Sequence, residues 1–410
     1  MTKAPLPIAL IFLSGSAPFC GAAELPTYDC GNPTAHEQLM LELVNRARTN
    51  PSAEAARLGI GLNDGLAPGT IDTQPKPPLA LHPALIAAAR AHTGWMLANE
   101  VFSHTGTGGS TSHDRMVAAG FDFSGSWSSG ENIALGQTTG TVSLTSQTIA
   151  KHDSLFRSAV HRVNICGTAT NRIGLGIISG EFDGWNAVMV TQDFAGSGAY
   201  PETLVTGVVY EDKNGDGFYD PGEGIPGVVV KPEGGDWQAK SSSSGGYAVP
   251  YSGASGTLTV LFQGDIPNGT RTLAVQKSGE NLKLDLVVDP SMKPEIAVRN
   301  PKSGNLVDGK SLRDFGAAAK NKKGMVRTFT IANTGKALLT DLRISIKGFN
   351  AGDFLVSPAK TADLPPGGTT RFSVTFRPKG IGTRHAVLRI RSNDDDENPF
   401  DIRLTGRGRK

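Results

Sequence analysis

Cysteine is scarce in this chain, with three in 410 residues at positions 20, 30 and 166. Their spacing excludes the clustered Cys/His patterns of structural zinc sites. Charge is sparse as well: 19% of residues are charged, and 40 Lys and Arg nearly balance 38 Asp and Glu. The basic residues are spread out, apart from "KNKK" at Lys320 to Lys323 and the terminal "GRGRK". Nucleic acid is therefore not an expected partner. Beyond the N-terminus no apolar run approaches the ~20 residues of a transmembrane helix. The glycines of "GLGIISG" have the wrong spacing for a dinucleotide fingerprint and no helix follows them, and the chain holds no Gly-x-Ser-x-Gly elbow and no phosphate-binding loop.

What the chain has in abundance is turn-forming residues, 51 Gly and 25 Pro. That favours turn-rich β structure over helix bundles, and the length suggests roughly three domains. The first residues combine Lys3, the apolar run "PIALIFL" and a small-residue site ending at Gly21, Ala22 and Ala23, the anatomy of a secretory signal peptide over residues 1–23. Bulky Phe19 before Cys20 argues against a lipid anchor, so a secreted product is expected, in the extracellular space, the periplasm or at the cell surface. Cleavage would leave Cys30 and Cys166, which in an oxidising compartment read first as a disulfide, with two unpaired buried thiols as the alternative.

Thr34 and Glu37 have the spacing of a capping box, and Met40, Val44 and Ala47 then share one helical face until Asn50-Pro51 ends the helix. A second helix is expected from Pro83, with Leu85, Ala89, His92 and Met96 on its apolar stripe, where His92 reads as a packed core residue. A short third helix covers "SHDRMVAAG" and a fourth runs from about Ser146 to His161, before the strands "RIGLGIISG" and "NAVMVTQDFA". From Pro201 the texture becomes short strands and turns, ending near Pro290. A second all-β pattern follows Pro294, with Phe329 and Ile331, then Phe372, Val374 and Phe376, alternating onto one face.

Three blocks in the first region, "FSHTG", "GENIALG" and "SAVHRVNI", each deliver a side chain able to bind a metal or a proton: His104, Glu131 and His161. Ligands from three separated segments imply one folded cleft. With "ELVNRARTNP", "PLALHPALIAAARAH" and "VTQDFA" in the same order, residues from about Thr34 to Ala195 resemble a bacterial member of the CAP superfamily, the cysteine-rich secretory, venom-antigen and pathogenesis-related group. That resemblance implies an α-β-α sandwich whose cleft is lined by two histidines and two acidic residues. It carries His104, Glu131 and His161 onto three of these places, while the fourth falls near Ser158, which cannot be a charged ligand. On a continuous helix His152 and Asp153 do not replace it. Two imidazoles and one carboxylate would suit Zn²⁺, and the resemblance implies weak or facultative metal binding more than dedicated catalysis. A metal-free polar cleft is the competing reading.

A separate signal lies at Asp212, Asn214, Asp216, Asp220 and Glu223, positions one, three, five, nine and twelve of a calcium loop, with Gly217 at six and the Phe218 carbonyl at seven. Its flanks are strands, and the region resembles B-type calcium-binding repeats of bacterial surface adhesins and related prealbumin-like modules. The segments "IANTG", "LPPGGTTRFSVTFRP" and "IRSNDDDENPF" resemble Hydin-like immunoglobulin-type domains, and the run Asp394 to Glu397 there reads as a solvated turn. The expected chain is α+β: a CAP domain over 30–200, a calcium-loop β-sandwich over 203–290 and an immunoglobulin-like sandwich over 294–408. Its expected role is recognition of a small lipid, a peptide or a divalent metal in the cleft, with the β modules as spacers or adhesive units that contact other extracellular proteins. The alternatives are a metal-dependent hydrolase and a purely structural surface protein.

Overall fold

The computed structural model describes residues 24–410, except 265, 267, 268, 301–303 and 359; the expected signal peptide lies outside the described residues. Helix α1 (Ala35–Thr49) starts on the capping box read from the sequence: Thr34 Oγ1 accepts from Glu37 N at 3.2 Å, and Thr34 N donates to Glu37 Oε2 at 2.7 Å. Asn50 ends α1 and caps α2 (Pro51–Arg57). Then follow α3 (Pro83–Ala98), α4 (Ser112–Ala118), α5 (Leu144–Arg157) and α6 (Ala159–Cys166).

These helices cover both faces of a sheet ordered β1-β3-β4-β2, from β1 (Ala80–Leu81), β2 (Trp127–Thr138), β3 (Arg172–Phe182) and β4 (Trp185–Ser197). On β3, Ile173, Leu175 and Ile177 join the core under α1, α5 and α6. Gly174 and Gly176 face the other way, where α3 lies almost on the strand. A Cβ at Gly174 would stand 2.0 Å from the Leu85 carbonyl carbon, and one at Gly176 2.6 Å from that of Ala89. Close packing, not phosphate binding, is what "GLG" serves.

The helix expected from Ser146 to His161 is two helices. Ser158 has extended backbone (φ −72°, ψ 122°) between α5 and α6. The buried Arg162 stabilises the break by donating Nη1 to the carbonyls of Phe156 and Arg157, at 2.9 and 3.0 Å, which α5 leaves without helical partners. Its other nitrogens bond the carbonyls of Leu62 and Asp64.

The second module consists of β5 (Thr203–Glu211), β6 (Val229–Pro232), β7 (Ala239–Lys240), β8 (Gly246–Tyr251), β9 (Thr257–Gln263), β10 (Arg271–Gln276), β11 (Leu282–Lys283) and β12 (Leu286–Val288). One sheet runs β10-β9-β6-β7; in the other β5 pairs with β8, β11 and β12. This module is not an independent bead on the chain. Leu39 and Leu43 of α1 pack with Val208, Tyr210 and Tyr219, on the face of α1 turned away from its own sheet. Glu42 pairs with Lys283 at 2.9 Å, and Lys283 also contacts Asp285. Asn281 Nδ2 donates to the carbonyls of Pro78 and Asn171. The sequence reading left α1 with one apolar face, whereas burial of a second makes the two modules share a core.

The third module is a sandwich of β14-β13-β16-β19-β18 against β15-β21-β20-β17. The ranges are β13 (Ile296–Asn300), β14 (Gly304–Asn305), β15 (Leu312–Ala319), β16 (Val326–Asn333), β17 (Arg343–Lys347), β18 (Phe354–Ser357), β19 (Thr369–Phe376), β20 (Gly382–Arg391) and β21 (Phe400–Arg409). The alternating residues Phe329, Ile331, Phe372, Val374 and Phe376 all enter its core, and the rings of Phe329 and Phe372 stack at 5.2 Å across the β16–β19 register.

Candidate functional site

Glu131 projects from β2 and is almost wholly buried, with both oxygens engaged. Oε1 accepts from His104 Nδ1 at 2.7 Å and Oε2 from Arg115 Nη2 at 2.5 Å. Arg115, on α4, also donates Nη1 to the carbonyls of His104 and Ser110, at 3.1 and 2.9 Å. His92, on α3, donates Nε2–H to the Ser103 carbonyl at 2.9 Å, and the same nitrogen lies 3.9 Å from Glu131 Oε2. The loop carrying His104 is thus held from α3 and from α4. The His104 ring, half exposed, spends its Nδ1 proton on Glu131, so its Nε2 carries the lone pair in the neutral form.

His161, on α6, does not hydrogen-bond to Glu131. Burial lowers its pKa, and the charge of His104 lowers it further. Asn132 holds α6 against the sheet: its Nδ2 donates to the His161 carbonyl at 3.2 Å, and its Oδ1 accepts from Asn164 Nδ2 at 2.8 Å. Ser158 sits at the helix break, half-buried, and makes no side-chain cap there. A second acid does stand beside Glu131: Asp193, its cross-strand neighbour on β4. Asp193 is fully buried and neither of its oxygens receives a hydrogen bond. Burial, then the charge of Glu131, pushes its pKa well above the usual carboxylate range, against the opposing pull of Arg115.

This donor set suits an anion or a polar head group better than a dication. Arg115 already neutralises Glu131, and the ligand atoms of His104, Glu131 and His161 do not all come within 4.8 Å of one another. His152 and Asp153 lie elsewhere: His152 Nε2 contacts Glu54 at 2.9 Å, and Asp153 pairs with Arg57. Alongside the polar cluster opens a cavity of about 410 Å³, walled by Ala87, Ala88, Ala91 and Trp95 of α3 and by Ala118 and Ala119, with His92, Thr107, Ser110 and Arg115 at its polar edge.

Cys30 and Cys166 are free thiols in separate clusters, so the expected bridge is not formed. Cys30 packs with Ala80, Leu204 and Ala248 under the second module, whereas Cys166 closes the core of the first. Burial pushes both thiols up to about 11, which keeps them protonated at neutral pH.

In the loop 212–223, Asp212 accepts from the N–H groups of Gly215 and Gly217 at 2.9 and 3.0 Å, and both glycines have φ of +75°. Asp216 Oδ1 accepts from Phe218 N, and Glu223 accepts from Lys213 N and Asp220 N. The Asn214 amide links Asp216 and Asp220. Burial, then repulsion from Asp216, Glu223 and Asp212, raises the pKa of Asp220. No three of these carboxylates lie within 4.8 Å of one another, but the donor set and the tight glycine turns fit a hard cation. Phe218 lies under the Arg46 guanidinium at 5.3 Å and Tyr219 is buried against α1, so the loop is anchored on the first module.

In the run 394–397 Asp394 is buried and accepts from Ile296 N at 2.7 Å; together with Glu295 and Asp396 it forms a crowded acidic end. Burial raises Asp394 to about 6, and burial with repulsion from Glu295 raises Glu397 to about 7.

An α-β-α sandwich with a His/Glu/Arg cleft, followed by two β-sandwiches, defines the class. Residues 41–194 match the model of the cysteine-rich secretory protein family, CAP, and residues 307–407 that of the HYDIN/CFA65/VesB-like Ig-like domain; the chain thus carries a CAP domain followed by an Ig-like module. No curated protein matches its sequence. Solved structures similar to it include an extracellular protein containing an SCP domain from Bacillus anthracis (23% identity, 39% of each chain, TM-score 0.26). Others are an outer surface protein of Borrelia burgdorferi (14% identity, 42% of this chain and 98% of that one, TM-score 0.25) and the ASH/PapD-like domain of human CEP192 (19% identity, 30% and 88%, TM-score 0.21).

Three residues of the cleft escaped the sequence reading. His92 looked like core because it lies on an apolar helical stripe, and it is indeed buried while also touching the polar cluster. Arg115 gave no signal beyond a charge on a short helix. Asp193 is present in "VTQDF", but only strand pairing brings it beside Glu131.

Proposed function

We propose that the CAP cleft is a recognition site for a small amphipathic molecule, such as a lipid or an apolar-ended peptide. Its apolar part would occupy the alanine-walled cavity and its polar head would meet Arg115, His104 and His161. The observation that carries this reading is the adjacency of the 410 Å³ cavity to a charge cluster in which Glu131 has no free oxygen. A carboxylate so engaged is poorly placed as a base or a metal ligand. Secretion is part of the same proposal and rests on Lys3, the apolar run and the small-residue site of the N-terminus. The experiment is binding of a fluorescent fatty acid or lysolipid to the whole protein and to Ala91→Trp, which places an indole in the alanine wall of the cavity. Binding should be lost in Ala91→Trp, and undiminished binding would place the ligand elsewhere. Titration of zinc by calorimetry, expected to give no heat, tests the competing metal reading.

We further propose that the second module binds Ca²⁺ through Asp212, Asn214, Asp216, Asp220, Glu223 and the Phe218 carbonyl. The ion would neutralise the mutual repulsion that raises Asp220, and so stiffen the loop that docks on α1.

A further inference from the structure

The two basic runs of the chain, far apart in sequence, meet at one end of the third module. Parallel pairing of β15 with β21 sets Ala319 opposite Arg409, and antiparallel pairing of β20 with β21 sets Gly382 opposite Gly408. The turn 320–323 is fastened there: Lys320 N donates to the Arg409 carbonyl at 2.9 Å, Asn321 N to the Pro378 carbonyl at 2.7 Å, and Arg377 Nε to the Asn321 carbonyl at 3.0 Å. Lys320, Lys322, Lys323, Arg377, Arg409 and Lys410 all stand exposed at this end. The segments that build it, 319–326, 347–354, 376–385 and 406–410, contain a single acidic residue, Asp353, which is buried and paired with Arg384. The acidic residues gather at the opposite end, with Glu295, Asp394 and Asp396.

Apolar side chains stand among these cations without cover. Phe349 is 100% exposed at the turn after β17, and hydrogen bonds between Asn350 and His385 hold that turn beside the start of β20. Ile381 and Met325, at the same end, are 58% and 46% exposed. Crowding like charges is unfavourable in the isolated protein, and so is leaving a phenylalanine in water. Both features become favourable against a surface that offers phosphates beside a hydrocarbon boundary.

We propose that this end of the third module docks on an anionic phospholipid bilayer, with the lysines and arginines on lipid phosphates and Phe349 and Ile381 entering the headgroup region. Charge complementarity alone would also suit a dissolved polyanion; the bare Phe349 at the same end as the cations favours the membrane. The proposal depends on neither the cleft nor the calcium loop.

The test is flotation of the full chain with phosphatidylcholine vesicles, with and without ~30 mol% phosphatidylglycerol, at ~0.1 M salt. Binding to the anionic vesicles should exceed binding to the neutral ones by about tenfold or more, and should fall steeply at ~0.5 M salt, where charges are screened. Phe349→Ser should weaken vesicle binding yet leave retention on heparin, a polyanion without lipid, unchanged. Combined Lys320→Glu, Lys322→Glu and Lys323→Glu should abolish both; all four positions are exposed, so circular dichroism should be unaltered. Equal binding to neutral and anionic vesicles would overturn the proposal. So would wild-type vesicle binding by Phe349→Ser, or retention on heparin by a protein that ignores vesicles, which would make the surface a polyanion site.

Discussion

At the scale of single residues, Glu131 decides what the cleft can be. It is buried and satisfied from two sides, and burial together with the charge of Glu131 pushes the pKa of neighbouring Asp193 well above the usual carboxylate range. The sign of the resulting pH dependence follows from linkage. Asp193 has a folded pKa above its unfolded value of about 4, so the stability tied to its proton is fully present below that pH and is lost as pH rises toward the folded value. Asp193→Asn, neutral in both states, escapes that loss. Melting curves of the two proteins should lie closest below about pH 4, with the variant gaining relative to wild type toward neutrality. Parallel curves would mean that Asp193 is ionised in the fold. Arg115→Ala, by leaving Glu131 with His104 as its remaining hydrogen-bond partner, should cost on the order of 2 kcal/mol, much of it recovered when Glu131→Gln is added. Chemical denaturation of the single and double variants checks this.

At the scale of elements, signals satisfied within a few residues were legible and those satisfied at long range were not. The Thr34–Glu37 capping box, the Asn50-Pro51 stop and the start at Pro83 need only their own neighbours, and each lies where the sequence places it. The break at Ser158 depends on Arg162, whose position is set by the carbonyls of Leu62 and Asp64, about a hundred residues earlier, and periodicity carries no trace of that. The glycines of β3 are the same kind of case. Gly174→Ala pushes a methyl into the backbone of α3 and should destabilise by about 2–3 kcal/mol, whereas Gly180→Ala, whose nearest neighbours are Leu97 methyls at 3.7 and 3.8 Å, should be close to neutral or mildly stabilising. Equal melting temperatures for the two variants would contradict the packing argument.

At the scale of the whole molecule, the first two modules are expected to unfold as one unit, because α1 belongs to both cores. Calorimetry should show them in a single transition, with the third module melting apart. Lys283→Met leaves the buried Glu42 with Gln38 as its remaining partner and should lower the joint transition. The cost is on the order of 2 kcal/mol, less than for a fully buried pair because the Lys283 side chain is 22% exposed. The third module's transition should not move. Calcium should raise the same joint transition by mass action on the folded loop, and Asp212→Ala should remove that rise. A calcium-insensitive first module in the wild type would show that the loop's contact with α1 carries no stability.

The sequence alone determined the order of modules, the helix starts, the strand faces of the third module and the pairing of the His104 and Glu131 blocks, because these rest on local periodicity or on short blocks that keep their order. Tertiary structure alone decided how charge and apolar surface were partnered. It brought Arg115 and Asp193 to Glu131, turned Leu39 and Leu43 toward a second core, kept Cys30 and Cys166 apart, and joined two basic runs at one end of a sandwich. Each of these is a contact between segments distant along the chain. The free energy of such a contact depends on burial and on the partner that arrives, and neither is a property of the residue's own neighbourhood in sequence.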